Sequence, residues 1–398
     1  MKKFDPANSL ENVHELGAYK GVNQSINDSA TFAFEDGNAM EACFHGEGEG
    51  AFLYSRHWNP TNYALAKALA AMEGTEAAWV TGSGMAAITN AILQVCQSGD
   101  HIIATRTSYG GTFAFMKNWL PKYNISVSFV NTCNLEEVES ALQENTKLIY
   151  TESIDNPMLE IADIPALANI SKAHNVLLMV DNTFSPMIIS PAQLGADIVV
   201  YSMTKFINGK NDTTAGAICG SLDFINSLID LNDGTSMLLG GVLDTYRAAN
   251  IHKNLYTLAI RMKQHSKNAM YLAHQFSNIG IEATYPGLES HPQHDLMKSI
   301  MNKDYGFGGM IAIDLKTSDK ASKFMSLMQK EGIGYLAVSL GYFRTLFSNS
   351  GKSTSSEIPE DDQKKMGLSP GLVRYSVGLD NDMEATFEKI KKCYDMVK

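Results

Sequence analysis

The sequence carries no Cys-x-x-Cys pair, no run near the ~20 apolar residues of a membrane span and no block of basic residues, and each absence removes a class of protein. Its five cysteines, Cys43, Cys96, Cys133, Cys219 and Cys393, stand singly, so the thiols read as free and neither a disulfide framework nor a zinc site is expected. Acidic residues outnumber basic ones by 43 to 32, giving a formal charge of -11, and such a surface repels a phosphate backbone. No nucleic-acid partner and no membrane are therefore expected. Lys2 and Lys3 are followed by no apolar segment of the signal-peptide kind, which points to a cytoplasmic protein. His291-Pro292-Gln293-His294 offers only two histidines around a proline, too few ligands for a metal, and reads as capping or surface histidines.

What is present is enough apolar material, 44% of 398 residues, to bury a core spread over two or three packed units. Residues 1–60 show no sustained period and include Gly46-Glu47-Gly48-Glu49-Gly50, so they read as an extended arm that needs another surface to lie on. From Thr61 the pattern alternates. Helices are expected over 63–72, 85–96, 112–120, 135–143 and 164–174, and short apolar strands over 77–81, 101–105, 126–130, 148–151, 177–180 and 198–201. Strands this apolar predict an α/β fold, a mostly parallel sheet covered by helices. Past Leu243 a long helical segment over 251–278, strands over 309–315 and 372–377, a helix over 319–329 and a last helix after Asp382 predict a smaller C-terminal α+β unit. The expected division is an N-terminal arm at 1–60, an α/β domain at 61–245 and an α+β domain at 246–398. Residues 348–357, rich in Ser, Thr and Gly, read as a loop, either on the surface or over a site.

Two glycine patterns suggest nucleotide sites and fail on context. Gly82-Ser83-Gly84-Met85-Ala86-Ala87 follows a strand and opens a helix, but the acid that a dinucleotide ribose needs is missing, because Asp100 precedes the second strand instead of ending it. A phosphate seat at a helix N-terminus fits the same residues better. Gly351-Lys352-Ser353-Thr354 lacks the glycine five residues earlier, where Leu346 stands, and no strand is expected to lead into it.

Chemistry gathers elsewhere. Tyr201-Ser202-Met203-Thr204-Lys205 sits just past an apolar strand, where α/β sheets place their ligands, and a lysine there can act as an imine nucleophile. Val180-Asp181-Asn182-Thr183 ends another strand with a carboxylate, the group that keeps a pyridine nitrogen protonated. Gly84 and Met85 offer backbone N–H groups at a helix start, to which the Ser202 and Thr204 hydroxyls add donors. Together the three elements describe a cradle for pyridoxal 5'-phosphate (PLP).

Seven ordered motifs, Ser55-Arg56-x-x-Asn59-Pro60-Thr61, Ser83-Gly84-Met85, Tyr109-Gly110-Gly111-Thr112, Asp155-Asn156-Pro157, Val180-Asp181-Asn182-Thr183, Ser202-x-Thr204-Lys205 and Val373-Arg374-x-Ser376-Val377-Gly378, resemble the Cys/Met-metabolism family of PLP enzymes across nearly the whole chain. The resemblance implies a fold-type-I enzyme with a seven-stranded sheet, and a homotetramer built as a dimer of dimers whose active sites are shared across the dimer interface. It implies that Lys205 bears the cofactor as a Schiff base and shuttles protons, that Asp181 pairs with the pyridine nitrogen, and that Tyr109 stacks on the ring and protonates the leaving thiolate. Gly84, Met85, Ser202 and Thr204 are implied to hold the phosphate, joined by Tyr54 and Arg56 from the neighbour's arm. Asn156 is implied near the phenolic oxygen, with Arg374 and Ser339 on the substrate carboxylate. Two departures stand out: Gly111 replaces a cysteine of bacterial relatives, and Lys210-Asn211-Asp212 replaces the commoner His-Ser-Asp.

The family runs β-elimination, γ-elimination and γ-replacement on one scaffold, so the substrate pocket must discriminate. Members that handle cystathionine carry a Glu before Ser-Leu-Gly, able to meet a distal ammonium. This chain has Val338 before Ser339-Leu340-Gly341. An apolar side chain leaves an ammonium unpaired and suits a methylthio group, so the expected reaction is α,γ-elimination of methionine to methanethiol, ammonia and 2-oxobutanoate. The alternatives are cystathionine γ-lyase, homocysteine or cysteine desulfhydration, γ-replacement on an acylated homoserine, and a non-catalytic PLP-binding scaffold.

Overall fold

The structure, a computed structural model, describes residues 4–45, 50–349 and 368–398. The glycine-rich run at 46–49 and the expected loop from residue 350 onward, with Gly351-Lys352-Ser353-Thr354, lie outside the described residues.

Helix Pro60–Glu73 shows how local chemistry sets an element. Asn59 caps it by accepting the Thr61 N–H at 2.8 Å, Pro60 pre-sets the first turn, and Gly74 ends it at φ 77°. Its buried face, Leu65, Leu69 and Met72, covers a seven-stranded sheet whose strands are β1 (Ala77–Thr81), β2 (His101–Thr105), β3 (Ser126–Val130), β4 (Thr146–Glu152), β5 (Leu177–Asp181), β6 (Ile198–Ser202) and β7 (Gly216–Gly220). Their spatial order is β1-β7-β6-β5-β4-β2-β3, with β6 through β3 parallel and β7 antiparallel to both neighbours. In β5 the side chains of Leu178, Met179 and Val180 are wholly buried, and each contributes about 1.5–3 kcal/mol.

The expected sheet is there, with one strand missed. β7 reads Gly-Ala-Ile-Cys-Gly, a run the glycines disguise as a turn. Gly216 is required: a Cβ there would lie 2.2 Å from the Ser83 carbonyl oxygen. By lying this close, β7 lets helix Gly84–Val95 approach β6, where a Cβ on Gly84 would fall 2.7 Å from the Ser202 Cβ.

A second sheet contains β8 (Ala283–Thr284), β9 (Met310–Asp314), β10 (Gly334–Leu336), β11 (Thr345–Asn349) and β12 (Leu372–Ser376), in the order β10-β11-β12-β9-β8. Only β9 and β12 were expected. β11 corrects two readings: Ser348 and Asn349 belong to a buried strand rather than a loop, and a strand does run toward Gly351. The expected helix over 251–278 is two helices, Thr245–Leu255 and Leu258–Asn278, broken at Tyr256-Thr257. Arg261 bridges the break by donating to the Asn254 carbonyl at 3.0 Å and the Ile207 carbonyl at 2.8 Å. The helix expected over 112–120 widens and then tightens, as helix Gly110–Ala114, a π turn at Phe115–Trp119 and a 3-10 turn at Leu120–Tyr123.

The N-terminal segment also departs from expectation at its start. Asp5 caps helix Pro6–Asn12, which buries Pro6 and Leu10 against this chain's own core. Beyond it the arm is mostly exposed, and helix Gly37–Phe44 buries no residue. Among the described residues no helix is long and apolar enough to cross a membrane.

Candidate active site

The C-terminal ends of β4, β5 and β6 open onto a cavity of about 240 Å³. Parallel strands deliver side chains there because their last residues leave the ladder together. Asp181 ends β5, Glu152 ends β4 as its register partner, and Lys205 follows β6 by three residues.

The cavity's far wall is a helix end. Ser83, with extended backbone, caps helix Gly84–Val95 by accepting the Ala86 N–H at 3.1 Å. The first N–H groups of a helix have no partner within it, so those of Gly84 and Met85 face the site with the positive end of the dipole. The Ser202 N–H is fixed by the Thr183 hydroxyl at 2.8 Å, leaving the Ser202 side chain on the cavity. The Thr204 hydroxyl accepts from the Ala215 N–H at 3.0 Å and also lines the cavity.

Four ionisable groups converge. Burial holds the Asp181 carboxyl above its usual range, although the Thr183 N–H at 3.0 Å and the Tyr150 hydroxyl at 3.5 Å support its ionised form. Burial, then the neighbouring Asp181, pushes Glu152 well above the usual carboxylate range, and Glu152 accepts the Tyr109 N–H at 2.7 Å. Lys205 donates to the Ser339 hydroxyl at 3.2 Å, and burial followed by the Arg374 charge brings its amine down to about 8. Arg374, on β12 and 3% exposed, donates to Asn156 Oδ1 at 2.9 Å and to the Ser339 carbonyl at 3.4 Å. Burial lowers its pKa to about 10 against the opposing pull of Glu152 and Tyr109.

Of the residues singled out in the sequence, Gly84, Met85, Tyr109, Asn156, Asp181, Ser202, Thr204, Lys205, Val338, Ser339 and Arg374 all line this cavity. Tyr109 stands over Gly111, where a Cβ would meet its ring at 2.7 Å and Met85 Sδ at 3.3 Å. A side chain at 111 therefore displaces the tyrosine ring. Tyr54 and Arg56 do not line it; the Arg56 guanidinium sits 5.8 Å above the half-exposed Tyr54 ring. Glu152 was missed in the sequence, although an acid ending an apolar strand is the same signal that singled out Asp181. His291 is a buried structural residue rather than a surface one: its ring pairs with the Leu159 carbonyl at 3.1 Å and accepts the Gln293 N–H at 3.1 Å. Among the described residues no group of three or more His, Cys, Asp or Glu side chains could hold a metal.

The donor set fits PLP. A buried carboxyl facing the cavity lacks a cation, which a protonated ring nitrogen supplies; a helix end with small residues suits a phosphate; a desolvated lysine suits an aldehyde. Known proteins agree. Residues 9–390 match the family model described as Cys/Met metabolism PLP-dependent enzyme. The chain is similar to a methionine gamma-lyase of Arabidopsis thaliana, 44% identical over 98% of this chain and 90% of that protein. It is also similar to a cystathionine gamma-lyase of Bacillus subtilis, 36% identical over 87% of this chain and 89% of that one. A solved structure of a putative O-acetylhomoserine (thiol)-lyase from Campylobacter jejuni, carrying a pyridoxyl-lysine monophosphate, superimposes with a TM-score of 0.92 at 26% identity, over 98% of this chain and 100% of that one. With a fold-type-I sheet, a lysine past β6 and a match over residues 9–390, this chain belongs to the Cys/Met metabolism PLP-dependent enzymes.

Proposed function

We propose that the chain is a carbon–sulfur lyase that converts methionine and water to methanethiol, ammonia and 2-oxobutanoate. The observation that carries this reading is the distribution of charge in the cavity. Among the described residues its only carboxylates are Glu152 and Asp181, both at strand ends, and Val338 lines it as well. Position 338 offers no anion to a second amino group, and an unpaired buried ammonium costs several kcal/mol by rough estimate. The likeness to the Arabidopsis thaliana methionine gamma-lyase supports the same choice.

Bound PLP supplies an electron sink. In this reading Arg374 holds the substrate carboxylate as a planar fork, with Ser339 and Asn156 fixing the guanidinium. Lys205, released from the cofactor when substrate arrives, takes the α-proton on Nζ and returns protons along the substrate chain. Its low pKa leaves the free amine largely neutral somewhat above pH 8, so turnover rises with pH through that region. Tyr109 donates its hydroxyl proton to the departing sulfur, Asp181 keeps the ring nitrogen protonated, and Gly84, Met85, Ser202 and Thr204 hold the phosphate. Tyr54 and Arg56 reach the phosphate of a neighbouring subunit in a cytoplasmic homotetramer. That assignment is supported by large apolar side chains left exposed along the arm at Leu16, Tyr19, Val22 and Phe44. The expected units at 1–60, 61–245 and 246–398 fit this division of labour.

Purified protein supplied with methionine is expected to release methanethiol and 2-oxobutanoate in equal amounts. Val338→Glu should shift the kcat/KM ratio of cystathionine to methionine upward by about tenfold or more, the size expected for pairing one ammonium. Cysteine or hydrogen sulfide as the preferred product of the unaltered protein would replace this reading with cystathionine cleavage or desulfhydration.

A further inference from the structure

The turn after Lys205 holds a residue for which the reaction above has no use. Asn211 adopts φ 53°, a left-handed conformation that asparagine tolerates better than most side chains. Its backbone is pinned on both sides. Asp212 accepts the Asn208 amide at 2.8 Å, and the Asp212 carbonyl accepts Arg247 Nη1 at 3.0 Å. Upstream, Gly209 closes the turn by donating to the Lys205 carbonyl at 2.8 Å. On the other side, the Ser339 loop is pressed against the lysine segment, since a Cβ on Gly341 would lie 2.4 Å from the Phe206 nitrogen. Both segments are therefore held before Asn211 and Ser339 meet.

They meet in a directed way. The Ser339 hydroxyl donates to Asn211 Oδ1 at 3.0 Å, and Lys205 Nζ donates to that same hydroxyl oxygen at 3.2 Å. A serine hydroxyl has one proton to give. Once it is given to Asn211, Ser339 can only accept from the lysine, so an N–H bond points at Ser339 and the lone pair of the neutral amine points elsewhere. The polarity is Lys205 to Ser339 to Asn211. If Asn211 offered no acceptor, the hydroxyl would be free to rotate and donate to the lysine lone pair, occupying the electrons the amine needs.

We propose that Asn211 is a positioning residue that fixes the Ser339 hydroxyl as an acceptor and so aims the lone pair of free Lys205 into the cavity. The proposal rests on Lys205 being the cofactor-bearing lysine. It places Asn211, one of the two departures in the lysine turn, in control of two events: proton abstraction after substrate has displaced the lysine, and capture of the cofactor by the empty protein. In the second event the amine nitrogen forms a double bond to the aldehyde carbon, and the carbonyl oxygen leaves as water with the two amine protons. The charged groups sharing the lysine's cavity are Arg374, Asp181 and Glu152, with the Tyr109 phenol; Asn211 changes none of them.

The test uses Asn211→Gly, which keeps the left-handed backbone and removes the acceptor, and Asn211→Asp, which keeps an acceptor and adds a negative charge. Apoprotein is mixed with PLP and the visible band followed; the loaded enzyme is then assayed against pH, and its melting temperature is measured. For Asn211→Gly the rate of cofactor capture and kcat should each fall about tenfold, with KM within about twofold and an unchanged melting temperature. For Asn211→Asp capture should be restored at high pH, with the acid limb of kcat shifted up by ~0.5–1 unit as the new anion favours the ammonium. Capture and kcat of Asn211→Gly equal to those of the unaltered protein would overturn the inference, as would equal losses in both variants with no pH shift. Borohydride reduction followed by peptide mapping separates the two claims. Pyridoxyl on a lysine other than Lys205 overturns the site reading together with this inference; pyridoxyl on Lys205 beside an inert Asn211→Gly overturns the inference alone.

Discussion

β5 ends in Asp181 with Asn182 directly after it, β6 ends in Tyr201-Ser202, and because successive side chains leave opposite sides of an extended chain, these strand ends feed two buried polar clusters. Asp181 and Ser202 face the cavity; their chain neighbours Asn182 and Tyr201 enter a network away from it. That network is complete. Glu73 accepts the Ala192 N–H at 3.0 Å and the Tyr201 hydroxyl, and Asn182 donates to the Tyr201 oxygen at 2.9 Å. Asn182 Oδ1 receives the Ser153 hydroxyl at 2.8 Å and the Ser185 hydroxyl at 2.6 Å. The cavity cluster differs in what it faces: Asp181, Glu152 and Arg374, buried, and Lys205, half-buried, line open space instead of pairing with one another. Polar groups paired with one another specify where the strand ends lie, and charged groups lining open space keep the capacity to bind a charged ligand.

Removing a member of each cluster should therefore damage different properties. Lys205→Ala is expected to abolish turnover by at least a thousandfold while unfolding stability of the cofactor-free protein stays within about 1 kcal/mol or rises, since a desolvated amine is lost. Paired activity assays and denaturant unfolding check this, and a large stability loss would erase the distinction between the clusters. Asn182→Ala removes the centre of four hydrogen bonds and should cost about 2–4 kcal/mol of stability, with kcat per folded molecule reduced far less than in Lys205→Ala. The smallest effect sharpens the comparison through pH. Burial raises the Glu73 pKa from its ordinary 4.5 to about 8, so the folded state keeps a proton that the unfolded state releases above about 4.5. Stability then falls as pH rises from about 4.5 to 8. Glu73→Gln cannot ionise, so its melting temperature relative to the unaltered protein should improve by a few degrees between pH 5 and pH 8.

The sequence made one cluster visible and hid the other. Lys205, Asp181 and the Gly84-Met85 helix start are local signals, each attached to an apolar strand or a capping serine, and all three arrive in the cavity. β1, β2 and β3 match their expected limits because their apolar runs have abrupt polar or glycine edges. The network of Glu73, Tyr201 and Asn182 joins residues as far as 128 positions apart, and although Tyr201 and Asn182 fall inside the motifs of the lysine and the carboxylate, nothing local marks Glu73 as their partner. β7 escaped because glycine serves close packing there and not a turn. β11 escaped because serine and asparagine on a buried strand look like loop chemistry. Glu152 is legible by the same rule as Asp181, an acid at the end of an apolar strand.

The insertion of β7 between β1 and β6 also has a consequence for how the protein is made. The helix start at Gly84 and the hydroxyl at Ser202 are brought together across β7, which pairs with β1 at high sequence separation, a non-local contact of the kind that slows folding. Without β1 paired to β7, the lysine and the carboxylate have no phosphate seat beside them. Uptake of the cofactor is thus expected to wait for the closing of the central sheet, so that colour in a refolding chain appears no earlier than its native far-UV signal.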